Sequence, residues 1–197
     1  MSDKPSSEID FKQLNANCFE LFNLPSSFEI DKKELRSRYK TVMSKCHPDR
    51  FVGNSEADKN AAIAATAQVA QAYNILKSPP KRAAYLLELL GLFVNSNANL
   101  SSDPLFLLEQ LELREKLESV PFTENPDTLL QTVIGEAKSL QSEQGQLFSA
   151  LYEQLQTLRQ SEDQEKLLQN AQDSILKLRF LEKLFEEISA LQHKLLD

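Results

Sequence analysis

The C-terminal part of this chain repeats apolar residues at helical spacing for longer than a strand could run. Leu140, Leu147, Leu151, Leu155 and Leu158 form one such series, and Leu178, Leu181, Leu184, Ile188, Leu191 and Leu195 form the next. Strands need a period of two; these rows keep a period near 3.6. Composition points the same way. Leu occurs 33 times while Val and Ile together occur 13 times, and only 4 of the 197 residues are Gly. Scarce β-branched residues and scarce glycine disfavour sheets, tight hairpins and glycine-rich phosphate loops. The expected fold class is all-α.

Helix boundaries follow from caps and prolines. Asp31 stands at an N-cap position before an amphipathic helix over 32–46, whose inward stripe is Leu35, Tyr39, Val42, Met43 and Cys46. Pro48 stops it, because the residue before a proline is driven out of the α region. Residues 47–54 read as a loop. An Ala-rich helix then runs from about Ser55 to Leu76, with Ala62, Ala65, Val69, Ala72, Tyr73 and Leu76 inward. Ser78-Pro79-Pro80 breaks the chain, and a short helix over 81–90 ends at Gly91, a C′ residue. Asp103-Pro104 and Asn125-Pro126 both read as an N-cap followed by proline at the first helical position, and Ser161 with Gln164 fits a capping box. The second half therefore reads as three helices over 103–119, 126–159 and 162–196.

The expected domains are a disordered lead over 1–16, a first domain over 17–90, a linker over 91–103 and a three-helix bundle over 104–197. The polar, acid-containing N-terminus resembles neither a secretory signal nor a transit peptide. The longest apolar stretch, around 84–94, contains Glu88 and is too short to span a bilayer. Cys18 and Cys46 make no CxxC pair and no disulfide framework. A cytoplasmic protein with no membrane partner is expected.

Charge is unevenly spread. The net charge is -7, which disfavours nucleic acid as a partner. Yet residues 32–50 carry seven basic and two acidic side chains, leaving -12 on the rest. Such a basic helix is either a solvated face or a docking surface for an acidic partner. It leads into Cys46-His47-Pro48-Asp49-Arg50. Three chemistries compete there. A metal site on Cys46, His47 and Asp49 lacks further ligands, since the only other histidine is His193 near the C-terminus. His193 itself reads as a solvated residue at a helix end. A Cys–His nucleophile is opposed by adjacency at a helix end and by Cys46 lying on the apolar stripe. A recognition loop fits a proline-stiffened turn from which His47 and Asp49 project at low entropic cost.

Residues 17–90 resemble a J-domain. The resemblance rests on a short first helix, the basic second helix, the His47-Pro48-Asp49 loop, a third helix ending in Ala72-Tyr73-Asn74-Ile75-Leu76, and Pro80-Lys81-Arg82-Ala83-Ala84-Tyr85. It implies docking to a DnaK-type chaperone and stimulation of its ATPase. The implied contacts are His47, Pro48, Asp49 and Arg50, with Lys32, Lys33, Arg36, Arg38, Lys40 and Lys45 on the basic helix, of which only some touch the partner. Many J-domains carry Lys where this chain has Arg50. Tyr39, Tyr73 and Phe51 are read as core or near-core.

The second half is similar to the HscB branch, co-chaperones of iron–sulfur cluster assembly. The segments that carry this are 107–115 (LLEQLELRE) and 177–184 (KLRFLEKL). The resemblance implies an L-shaped molecule that binds an HscA-type chaperone and the scaffold IscU, the latter through Leu107, Leu108, Leu111, Glu112, Glu115 and Phe180. A typical member has Met where Leu108 stands. The family implies no bond-making chemistry, no cofactor and no metal in the chain itself, any cluster belonging to the scaffold. Eukaryotic members often add a cysteine-rich N-terminal segment; its lack here favours a bacterial form. The alternative is a general DnaJ-like co-chaperone for unfolded clients, although glycine/phenylalanine-rich and zinc-finger regions are missing.

A helical wheel at about 100° per residue gives the scaffold segment two stripes. Phe106, Leu113, Leu117 and Val120 lie on one side, and Leu107, Leu108 and Leu111 on another, bordered by Glu112 and Glu115. One stripe suffices to pack a helix on a hairpin. The second is either buried in the bundle or offered to a partner. Phe180 sits at the edge of its helix's apolar face, where partial exposure is expected.

Overall fold

A computed structural model describes residues 16–93, 103–158 and 162–196. Residues 1–15 of the expected lead, most of the expected linker and Ser161 of the expected capping box lie outside the described residues. The described residues form helices and turns with no strand, and none of their helices is long and apolar enough to cross a membrane. The chain divides into two compact units, Met1–Ser78 and Pro79–Asp197.

The first unit holds α1 (Cys18–Leu21), α2 (Lys32–Cys46) and α3 (Glu56–Lys77). Each start is capped. The Asn17 side chain accepts from the amides of Phe19 and Glu20, Asp31 accepts from Lys33, and Ser55 accepts from Asp58 in a reciprocal box. α2 and α3 run antiparallel. Tyr39 stacks on Tyr73 at 4.2 Å, while Thr66 Oγ1 meets the Cys46 carbonyl at 3.1 Å. Ala62, Ala65, Val69, Ala72 and Leu76 are buried. Their small side chains let other elements approach α3 closely, and Phe19, Phe22, Phe28, Leu35 and Phe51 are buried in the same unit.

The second unit holds α4 (Pro79–Leu89), α5 (Pro104–Ser119), α6 (Pro126–Thr157) and α7 (Glu162–Leu196). α6 and α7 form an antiparallel hairpin. Leu130, Val133 and Ala137 near the start of α6 share one core with Leu181, Leu184 and Ile188 late in α7, and α5 closes that core with Leu113, Leu117 and Val120. The stripe Phe106, Leu113, Leu117 and Val120 is buried.

The structure refines these expectations. α4 starts at Pro79 rather than at Lys81, because a first helical turn needs no N–H donors and tolerates both prolines. Within the second unit α4 packs on α7 and α6. Ala83, Leu86 and Leu87 are its fully buried face. Asn125 makes no side-chain cap, and only its carbonyl accepts, from the Leu129 amide at 3.2 Å. Leu147 is exposed because it lies off the buried stripe of α6, and Leu195 is exposed in the last turn of α7 although it shares the phase of Leu184 and Ile188.

The C-terminus of α4 is closed as expected. Gly91 has φ +76° and is the C′ residue of a Schellman motif. The Leu92 amide donates to the Leu87 carbonyl and the Gly91 amide to Glu88, each at 2.9 Å.

Candidate functional sites

The His-Pro-Asp segment is a single 3-10 turn, Pro48–Phe51, rather than an irregular loop. Proline ends α2 by leaving the last carbonyls without amide donors. Side chains replace those donors. Arg50 Nη1 donates to the Ser44 carbonyl at 3.2 Å, and Thr66 Oγ1 donates to the Cys46 carbonyl. The Arg50 guanidinium thereby sits at the negative end of the α2 dipole. Phe51, 3% exposed, anchors the far side of the turn in the core. The turn is thus fixed to α2, to α3 and to the core, while His47 and Asp49 stay exposed.

His47 Nδ1 accepts the Asp49 amide at 3.3 Å. In the neutral ring this leaves the proton on Nε2, a donor at the outer edge of the imidazole. Asp49 Oδ2 stands 3.4 Å from the same Nδ1. Cys46 is buried while His47 and Asp49 face solvent. These three therefore do not converge on one point, and among the described residues no cluster of three or more His, Cys, Asp or Glu is placed to hold a metal.

The basic helix is exposed at Lys32, Lys33, Arg36, Lys40 and Lys45. Arg38 is half-buried and paired with Glu34 at 3.1 Å. With Leu35 and Cys46 inward, helical steps place Lys33, Arg36 and Lys40 on one flank and Arg38 and Lys45 on the other. A flat surface cannot touch both flanks at once.

In the second unit, Leu107, Leu108 and Leu111 are 40%, 53% and 55% exposed. Glu112 and Glu115 are exposed beside them. The second stripe of α5 is therefore not covered by the bundle. Phe180 on α7 is half-buried and joins α5 from the side, its ring 5.8 Å from that of Phe106 at 89°. The Arg114 guanidinium lies 5.6 Å from the Phe180 ring centre. Sequence reasoning missed Arg114 as a neighbour of Phe180. It also missed Lys177, which crosses from α7 to the Asp103 cap of α5 at 2.7 Å. Long-range pairs of this kind leave no mark in helical periodicity.

Comparison with known proteins finds a family for each half of the chain, the match to the first half running on into α4. A family model described as the HSCB C-terminal oligomerisation domain matches residues 102–189, and the DnaJ domain model matches 17–85. The co-chaperone protein HscB homolog of Aliivibrio fischeri (strain MJ11) is 37% identical over 180 residues, covering 91% of this chain and 99% of the relative. Co-chaperone protein HscB of Proteus mirabilis is 36% identical over 183 residues, covering 91% and 97%. Among solved structures, chaperone HscB from Vibrio cholerae superposes with a TM-score of 0.68 at 37% identity, covering 91% of this chain and 99% of that one. Human co-chaperone protein HscB gives 0.71 at 26% identity, covering 90% and 83%. A J-domain turn held rigid beside a basic helix, a helical second unit with an exposed leucine stripe, and relatives alike over nearly their whole length lead to one assignment: the chain belongs to the HscB family of J-domain co-chaperones.

Proposed function

We propose that this chain carries an IscU-type iron–sulfur scaffold to an HscA-type, DnaK-like chaperone in the cytoplasm and stimulates that chaperone's ATPase. His47, Pro48, Asp49 and Arg50 engage the chaperone, assisted by a subset of Lys32, Lys33, Arg36, Arg38, Lys40 and Lys45. A turn fixed before contact loses little entropy on docking. The basic helix adds steering toward an acidic surface, which raises the association rate more than the affinity.

Leu107, Leu108, Leu111 and Phe180 engage the scaffold, with Glu112 and Glu115 at the rim. The observation that carries this reading is the exposure of three leucines on a helix whose opposite stripe is already buried. An apolar centre bordered by charge is the anatomy of a specific protein interface. Holding both partners on one chain raises the local concentration of scaffold at the chaperone. The chain then acts by proximity, with no bond-making step of its own.

Steady-state ATPase of the chaperone tests it, measured with this protein alone, with scaffold alone and with both. Synergy between the two is the expected result. Stimulation without synergy would favour a general co-chaperone for unfolded clients. No stimulation would return the basic helix to a solvated face.

A further inference from the structure

Phe180 would be a poor docking residue if its ring were loose. A half-exposed aromatic on a helix surface samples several rotamers, and fixing it on binding costs affinity. Its surroundings restrict it before any partner arrives. The Phe106 ring, itself 2% exposed, packs edge-on against it at 5.8 Å and 89°. The Arg114 guanidinium stands 5.6 Å from the Phe180 ring centre. Arg114 Nη2 also reaches Glu187 Oε1 at 3.9 Å. Phe180 and Glu187 are seven residues apart on α7, so they share one face, and Phe106 and Arg114 stand two turns apart on α5. Arg114 therefore spans from α5 to two points on α7, with the aromatic ring as one of them.

A guanidinium over an aromatic face is attracted by the ring quadrupole, and its plane restricts ring tilt. On the α5 wheel Arg114 lies next to Leu107, at the border between the buried and the exposed stripe. Its place thus fixes how Phe180 continues the leucine surface.

We infer that Arg114 is a positioning residue for the scaffold-binding surface, acting by clamping the Phe180 ring against α5. This rests on the scaffold reading above and adds a residue to it. Arg114 is half-exposed, so its removal leaves the bundle core untouched.

The test is a double-mutant cycle read by titration with the purified IscU-type scaffold, using full-length chains. Arg114→Ala is expected to weaken binding about three- to tenfold when Phe180 is present. In the Phe180→Ala background the same change should alter binding by less than about twofold. Arg114→Lys, which keeps the cation but loses the flat fork, should fall between wild type and alanine. In the free protein, Arg114→Ala should shift the ring NMR signals of Phe180 without lowering the thermal midpoint appreciably. An equal loss of affinity in both backgrounds would overturn the inference and make Arg114 a direct contact. Unchanged ring signals would overturn it too. Failure of the unaltered protein to bind the scaffold would instead remove the scaffold reading, and the positioning role with it.

Discussion

Lys177 Nζ lies 2.7 Å from Asp103 Oδ2, so a lysine in the middle of α7 holds the carboxylate that caps α5. The Asp103 carboxylate also accepts from the amides of Leu105 and Phe106, at 3.0 and 3.4 Å. Asp173 adds a second contact to the ammonium at 3.1 Å, and the ammonium lies 5.1 Å from the Phe106 ring centre. One cluster therefore sets where α5 begins on α7. The exposed leucines and Phe106 follow from that starting point.

This cluster gives a pH signature. The hydrogen bond from Lys177 foremost, with the Phe106 and Leu105 amides, holds Asp103 below the usual carboxylate value against its partial burial. Its contribution is present above about pH 4 and is lost as pH falls through the lowered folded value. Burial works to lower the Lys177 value, but the hydrogen bonds to Asp103 and Asp173 outweigh it and leave a net rise. Its contribution is present below about pH 10 and is lost as pH rises through the raised folded value. Asp103→Asn keeps an N-cap and removes the charge. Urea midpoints should be lower for Asp103→Asn at neutral pH and should converge with wild type in acid. A constant gap down to the lowest pH would refute the linkage.

The two stripes of α5 should separate stability from binding. Phe106→Ala removes a 2%-exposed ring and is expected to cost about 3–5 kcal/mol of unfolding free energy. Leu107→Ala and Leu111→Ala should each cost no more than about 1 kcal/mol. Chemical denaturation measures all three. A loss for Leu111→Ala as large as that for Phe106→Ala would identify it as core.

In the J-domain, His47→Gln should leave thermal unfolding and scaffold binding unchanged while abolishing stimulation of the chaperone ATPase. His47 is exposed, and its side chain caps only the short 3-10 turn, so the core does not depend on it. Coupled-assay turnover is the readout, and full stimulation by the variant would sink the assignment of this turn.

A Cβ added at Gly91 would meet nothing within 4 Å, so its φ of +76° alone sets the cost of substitution. Gly91→Ala should therefore destabilise by about 1 kcal/mol, through left-handed backbone strain at the end of α4. A neutral result in urea denaturation would mean that the Schellman cap reforms without this conformation.

Local chemistry makes much of this protein legible from its residues. Asp31 and Asp103 cap the helices that their sequence positions predict, because a side-chain oxygen needs only the amides of its own next turn. Asn125 departs from the same rule. Its backbone, at φ -130° and ψ 71°, differs from that of the other caps, and no side-chain bond forms. The division of α5 into two apolar stripes follows directly from helical phase, and the bundle decides which of them is exposed. The His-Pro-Asp motif is visible as residues, while its rigidity is not. That rigidity needs Thr66, twenty positions away in sequence, to reach the Cys46 carbonyl.

Helical class, helix limits, the basic character of α2 and the two stripes of α5 are determined by the sequence itself, because each depends on side chains within a few turns. Tertiary structure alone decided the partner of each face. An amphipathic helix specifies that it must bury an apolar side, not against what. Hence α4 packed on the C-terminal hairpin, Arg114 met Phe180, and Lys177 met Asp103. Each pairing brings together residues far apart in the chain, where no local period or propensity acts.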